Sequence, residues 1–598
     1  MTTGIGTKRV PNEGPLDARI YCVGEGPGAD EVIEGRPFIG ASGSKLRAVL
    51  GNNGVSEDSV RFCNLVQHRP PNNVFAAVLR SSELAAGVEE LASDIRKFRP
   101  NVVAALGAWP LYFLTGKRGK KAAGTGIGKW RGSILPCTLP GCEGVKVIAS
   151  YHPAFIIRQP TAYPIFDTDI KRIVSDSSFA ELRLPVRNVI IDPRGEELES
   201  WVQRLCEAEY LACDIETIKK SARILCHGFS PDPLTSVVFP HSPGDFSRFS
   251  AVDAIYRSRA QKIFHNGGTF DIPILEANDF VIENFFWDTM ACQHVMWAEL
   301  PKSLEYLCSV YTRQPYYKTA GRAEIPEDAK GWSEKFEKKE LYIYNGTDTG
   351  VTYEVFENQV REMAEGPKDW MKVFRFEMSQ YAPAARISNA GMLIDLERRA
   401  MLKRALEIKW AINQFVLDRL TGYKTNVNSP KVIAKILYDK DKFGLPPRTS
   451  HKTGEVTTDE DAIVSLIAFT KDRLSKLKPG GNAVEFWRVR YEALKTILVI
   501  RGVRKLLSSY INVPISSDGR LRATYKPVGP ETGRWACAMY FDGTGANAQT
   551  FPREVFELKN YEDNELMKSV LPYILECEKE DLELEVDEEK ETEEAVAV

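Results

Sequence analysis

Four short apolar runs, each leading into polar or helical sequence, constrain the first third of this 598-residue chain more than any other feature. They are RIYCVG at 19–24, RFCNLV at 61–66, NVVAALG at 101–107 and VKVIAS at 145–150. Runs this short without strict alternation read as strands buried on both faces, and the segments around 43–51 and 83–98 have helical spacing. Such an alternation predicts a parallel sheet covered by helices. Ligands of that kind of sheet bind beyond the carboxyl ends of its strands. Gly24-Glu25 after the first run, Asn64 at the end of the second and His152 after the fourth all fall there.

The chain is too long for one core, so three or four domains are expected. A boundary lies near 176–190. NVIID, YLACDIET, ARILCHGF, TSVVFP and KIFHN are then strand-like, and helical segments follow around 287–310 and 335–358, a strand-first, helix-later α+β pattern. From about 365 the chain becomes mostly helical, through 395–420, 429–438 and 484–510, with turn-rich sequence from 512 to 553. No internal repeat is present.

Hydrophobic residues at 43% and charged residues at 27% describe an ordinary soluble globular protein. No run of eighteen apolar residues exists, so no membrane span is expected, and the N-terminus lacks the apolar core of a secretory signal. Eleven cysteines are scattered singly, the closest pair being Cys137 and Cys142, which argues for reduced cytoplasmic thiols. The net charge of −3 is uneven. From Glu576 onward there are twelve acidic and two basic residues, a charge of −10, so the preceding 575 residues carry +7. A mildly basic body is compatible with phosphate contacts, and the acidic tail is expected to be disordered.

Gly24-Glu25-Gly26-Pro27-Gly28, then Gly35-Arg36-Pro37-Phe38-Ile39-Gly40, with Asn64 in NLVQHRPPNN and the triplet Tyr151-His152-Pro153, resemble the motifs of the family 4 uracil-DNA glycosylases. The resemblance implies a flipped base stacked on Phe38 and read by the amide of Asn64. Cytosine reverses the donor and acceptor pattern that uracil offers that amide, leaving buried groups unpaired at about 1–3 kcal/mol each. It implies that His152 stabilises charge on uracil O2, that Glu25 and the backbone at Gly26 hold the attacking water, and that Glu31 crowds the C5 side of the base. The family usually carries four cysteines on an iron–sulfur cluster. Here the N-terminal pair is missing, His68 stands at one cysteine position and none follows in 83–98, so no cluster is expected. A retained fold that reads uracil without releasing it is the alternative.

Asp214-Ile215-Glu216 ends a strand-like run, Phe270-Asp271 opens a helix, and Tyr344-Asn-Gly-Thr-Asp348 places Tyr344 and Asp348 on one helical face. With Trp287-Asp288-Thr289 and LPKSLEYL, these motifs resemble the DEDD 3′→5′ exonucleases of the tyrosine subclass, an RNase H-like fold. The resemblance implies that Asp214, Glu216, Asp271 and Asp348 hold two Mg²⁺ or Mn²⁺ ions, that Tyr344 orients the attacking water, and that Phe270 packs.

Glu377–Asp395, Asn428-Ser429-Pro430, Lys452-Thr453-Gly454 and Thr457-Thr458-Asp459, Leu494–Tyr510, Thr532-Gly533-Arg534-Trp535 and Gly545-Ala546-Asn547-Ala548-Gln549-Thr550-Phe551-Pro552-Arg553 resemble the thumb and early palm of phage-type family A DNA polymerases. Arg534, Asn547, Gln549 and Arg553 are the DNA contacts this implies. No D-Y-S-x-x-E strand or H-D-E turn follows, so primer extension by this chain alone is not expected; a split polymerase completed by a second polypeptide with palm and fingers is one explanation, a degraded prophage relic the other.

The expected organisation is a flexible lead (1–17), a parallel-sheet glycosylase-like domain (18–178), an exonuclease domain (187–360), a mostly helical thumb with the start of a palm (365–555) and the tail (556–598). DNA is the expected partner: primer–template, a single-stranded 3′ end and uracil-containing strands. The expected compartment is the cytoplasm, that of a host if the gene is a phage's. A stand-alone repair glycosylase–exonuclease and a non-catalytic DNA-binding subunit of a split polymerase are the alternatives.

Overall fold

The computed structural model describes residues 8–119, 124–218, 221–242, 244–318, 339–450 and 454–551. Its first five strands form one sheet in the order β2-β1-β3-β5-β4. β1 (Ile20–Gly24), β2 (Val60–Asn64), β3 (Val102–Leu106) and β5 (Lys146–Ser150) run parallel, and β4 (Ile134–Pro136) is antiparallel on the edge. The sheet is therefore not purely parallel, and its edge strand β4, three residues long, is too short to stand out as an apolar run in the sequence. The parallel strands are buried on both faces, which explains their unbroken hydrophobicity. One face packs Val23, Leu91 and Val147, the other Leu46, Phe62 and Ile148. Helices Ala41–Asn52 and Ser82–Phe98 stand where their spacing predicts them.

The lead differs from expectation. Residues 1–7 lie outside the described residues, but 8–17 are tied down. Val10 donates its amide to Gln67 O at 2.8 Å, and Glu13 and Phe62 exchange backbone bonds at 3.0 and 2.7 Å. The lead thus covers the open edge of β2, an edge that would otherwise expose a row of backbone donors and acceptors.

A second sheet has the order β11-β10-β7-β8-β9-β6. β7 (Tyr210–Thr217), β8 (Ile224–Asp232) and β9 (Thr235–Pro240) are antiparallel neighbours, while β10 (Gln261–Phe264) and β11 (Phe285–Asp288) continue in parallel from β7, and β6 (Asn188–Ile191) pairs in parallel with β9. Helices Glu196–Glu207 and Phe246–Arg257 interleave with these strands, so the strand-first, helix-later pattern does not hold. The first begins with Glu196, Glu197 and Glu199, whose charges favour a helix N-terminus. The long helix Lys339–Glu365 packs on β7, β8 and β9. It comes close because Gly346 faces Val189, where a Cβ would fall 2.5 Å from Cγ1.

The described residues divide into two compact units, one within 1–385 with 526–536, the other within 386–525 with 537–551. The second is mainly helical. Helices Leu396–Thr421 and Asn482–Leu506, with Pro430–Tyr438 and Glu460–Ser475, bury Leu417, Ile433, Leu437, Ile463, Leu466 and Ile497. Ser429 caps its helix ahead of Pro430, as serine before proline predicts. Lys452-Thr453, Arg553 and the acidic tail lie outside the described residues. Among the described residues no helix is long and apolar enough to cross a membrane.

Candidate active sites

The parallel register aligns Gly24 with Asn64 and Leu106 with Ser150, so the strand ends form one rim. A cavity of about 430 Å³ opens there, lined by Glu25, Gly26, Glu31, Phe38, Asn64 and His152 among others. All six base-site residues predicted from the sequence therefore meet in one place. Gly24 lets two of them approach: a Cβ on it would fall 2.7 Å from both Asn64 Oδ1 and Phe38 Cζ. Phe38 adopts a positive φ of 54°, an uncommon conformation for a bulky residue. Its carbonyl accepts from Arg47 Nε at 3.0 Å, and its ring lies 5.8 Å from that of Phe62. The Glu31 carboxylate accepts from the Gly28 amide, which turns it back over the glycine-rich loop.

His152 begins the helix Pro153–Arg158, and its Nδ1 accepts from the Ala154 amide at 3.2 Å. That bond places the proton of a neutral ring on Nε2. Burial, and secondarily the Arg158 guanidinium, lower the imidazole to about 4, so the ring is neutral at ordinary pH. Burial raises the Glu25 carboxyl to about 7, with Arg158 opposing the rise. Gly107 lies under both side chains, where a Cβ would stand 3.4 Å from Glu25 Oε1 and from His152 Cβ. Arg158, Asn73 and Phe75 also line the cavity. Sequence reasoning missed all three; the only trace of Arg158 was a basic residue one helical turn and a half beyond His152.

In the second sheet Asp214 and Glu216 stand two apart on β7 and share a face. Ligand atoms of Asp214, Glu216 and Asp348 all lie within 4.8 Å of one another, an arrangement able to hold a cation. Asp271 starts the helix Asp271–Ala277 and accepts from the Ile215 amide at 3.2 Å, between the two β7 carboxylates in sequence. Burial raises Asp214 well above the usual carboxylate range, reinforced by Asp271, Glu216 and Asp348 and opposed by Lys318. Asp271 rises to about 7, chiefly through burial. The four carboxylates singled out in the sequence are thus brought together, Asp271 as a neighbour of the three-carboxylate cluster.

Three further residues belong to this site: Asn345, inside the Tyr344–Asp348 motif but given no role there, and Tyr317 and Lys318, which have no local sequence signal. Asn345 Nδ2 donates to Asp214 Oδ2 at 2.7 Å. The Tyr317 hydroxyl donates to Asp348 Oδ1. Lys318 Nζ donates to Asp348 Oδ2 at 2.7 Å and to Tyr344 Oη at 3.3 Å. Phe270 is 39% exposed, so the packing predicted for it is only partial.

Arg534 is exposed, on the 526–536 segment of the first unit. Asn547, in the second unit, caps the turn Ala548–Thr550 by accepting from the Gln549 amide at 3.1 Å.

The family description "Uracil DNA glycosylase superfamily" matches residues 11–176. The Type-4 uracil-DNA glycosylase of Thermotoga maritima is 39% identical over 168 residues, covering 28% of this chain and 78% of that protein. That of Archaeoglobus fulgidus is 33% identical over 167 residues, covering 28% and 81%. The C-terminal region resembles DNA polymerase I: the Pseudomonas aeruginosa protein is 23% identical over 375 residues, covering 58% of this chain and 37% of its own length. Through residues 11–176, which contain every residue lining the Glu25–His152 cavity, the chain belongs to the uracil-DNA glycosylase superfamily.

Proposed function

We propose that this chain removes uracil from DNA and degrades DNA from 3′ ends, beside a polymerase-like region that holds primer–template. The observation that carries the first activity is the pairing, in one cavity, of a carboxyl raised to about 7 and an imidazole lowered to about 4. An extruded uracil stacks on Phe38 and pairs through N3–H and O4 with the Asn64 amide. As the glycosidic bond breaks, the His152 Nε2–H donates to the developing charge on O2. The Glu25 carboxylate holds the water that attacks the sugar, and Glu31 faces the C5 edge, where a thymine methyl would crowd it.

The domain is proposed to fold without an iron–sulfur cluster. In support, His68 stands in place of a thiolate, and Arg9, whose backbone forms a β-bridge with it, pairs its guanidinium with Glu90 at 2.8 Å. Cys137 and Cys142 sit instead in an apolar core, and burial raises the Cys137 thiol to about 11. The Arg9 pair ties the lead to the helix Ser82–Phe98, a connection between the segments a cluster would join.

The second activity rests on the carboxylate cluster. Asp214, Glu216, Asp271 and Asp348 would hold Mg²⁺ or Mn²⁺, which when bound would supply positive charge to activate water and stabilise the leaving oxygen. Lys318 donates to Tyr344 Oη at 3.3 Å and so fixes where that hydroxyl stands, and Tyr344 is proposed to orient the nucleophile. Asn345 and Tyr317 fix Asp214 and Asp348. Arg534, Asn547, Gln549 and Arg553 are proposed to contact the duplex. Degradation of a 5′-labelled strand tests the nuclease: it requires a divalent metal and is abolished in Asp214→Ala/Glu216→Ala. Degradation that persists in that variant, or in chelator, contradicts the assignment.

A further inference from the structure

The residues that steady the carboxylate cluster come from a segment moored on the glycosylase domain. Helix Leu304–Tyr311 ends the approach, and Tyr317 and Lys318 deliver a hydroxyl and an ammonium to Asp348 and Tyr344. Between them the chain crosses to the first domain at four points. Arg131 Nη1 donates to Ser309 Oγ at 2.7 Å, and Arg172 Nη2 to Val310 O at 2.8 Å. Arg313 grips both carboxylate oxygens of Asp176 at 3.0 and 2.8 Å. The Tyr316 amide donates to Ser133 Oγ at 3.1 Å, and its ring stands edge-on to Trp130 at 5.1 Å.

These moorings are built, not incidental. Arg131 is paired with Asp169, with side chains 4% and 0% exposed, and Asp169 also accepts from Ser150 Oγ at 3.0 Å. Buried charges persist only where partners satisfy them, and here one of Arg131's partners is a hydroxyl of the nuclease-like domain. Arg313 and Asp176 form a two-pronged guanidinium–carboxylate contact, which fixes direction as well as distance. Tyr316 directly precedes Tyr317 and Lys318, so displacing its ring moves both site residues.

We propose that the glycosylase domain is a structural part of the nuclease: its face at residues 130–133 and 172–176 positions the segment 309–318, and through it Tyr317 and Lys318 against Asp348 and Tyr344. The inference rests on the nuclease reading above. Tyr316 and Arg313 are then positioning residues lying outside both active centres.

The test uses the full chain with Tyr316→Ala, Tyr316→Phe and Arg313→Gln. Mn²⁺ binding is followed by calorimetry without DNA, nuclease kcat and KM on a single strand, and uracil release in chelator. The expected result for Tyr316→Ala and Arg313→Gln is Mn²⁺ affinity weakened several-fold and kcat lowered about tenfold, with KM within about twofold and uracil release unchanged. Tyr316→Phe, which keeps the ring on Trp130, restores both. If Tyr316→Ala does not fold, Arg313→Gln carries the decision alone. Unchanged Mn²⁺ affinity and kcat in a folded Arg313→Gln overturn the inference while leaving the nuclease standing. A wild-type chain that neither binds Mn²⁺ nor degrades DNA removes the nuclease itself, a different result.

Discussion

The pH dependence of uracil release follows from two groups that burial drives in opposite directions. In the proposed reaction Glu25 acts as a carboxylate, and burial raises its carboxyl to about 7. About a tenth of it is ionised at pH 6 and about nine-tenths at pH 8, so kcat/KM rises about tenfold between them, nearing tenfold per unit below pH 6. His152 is lowered to about 4 and is proposed to act as the neutral ring, so it adds no second inflection between pH 5 and 9. The assay is uracil release from a single-stranded oligonucleotide at limiting substrate, in buffers of constant ionic strength and with chelator to silence metal-dependent degradation. Glu25→Gln flattens the profile and lowers its plateau. A wild-type profile that is flat from pH 6 to 8, or that falls as pH rises, refutes the assignment of Glu25 as the group that holds water.

Gly24→Ala sets a methyl 2.7 Å from Asn64 Oδ1 and Phe38 Cζ, so uracil release falls at least about tenfold while metal-dependent 3′ degradation persists in the same preparation. Lys318→Met removes charge-assisted bonds to Asp348 and Tyr344. At about 1.5–3 kcal/mol for such bonds, nuclease kcat drops about 10- to 150-fold, read by single-turnover kinetics. Asp169→Asn leaves the Arg131 guanidinium, 4% exposed, without its counter-charge, costing about 3–5 kcal/mol of first-domain stability in urea unfolding.

The glycosylase site was legible because its chemistry sits at the ends of strands that announce themselves as apolar runs. Glu25, Asn64 and His152 each follow such a run within a few residues, and parallel pairing brings those ends together without further information. The four carboxylates gathered at the second sheet were legible for a similar reason, each lying in a motif with its own local geometry. Other parts left weaker marks. The helix Glu196–Glu207 carries apolar residues at Leu198, Trp201, Val202 and Leu205, a helical spacing set inside a highly charged stretch. Tyr317 and Lys318 meet Asp348 across thirty residues of chain, and nothing in Tyr-Tyr-Lys says where it will dock. The domain–domain contacts of Arg131, Arg172 and Asp176 were equally silent, because a buried ion pair looks in sequence like any two charged residues.

One measurement bears most directly on the account: release of free uracil from a 5′-labelled single strand with one internal deoxyuridine, in chelator at pH 8, scored as an alkali-sensitive abasic site. The account predicts a single alkali-dependent cut from the wild-type chain, none on the matching thymidine strand, and strong loss in Glu25→Gln and Asn64→Ala. An intact deoxyuridine strand after prolonged incubation with folded wild-type protein would contradict it, leaving the cavity a reader of uracil and not a catalyst.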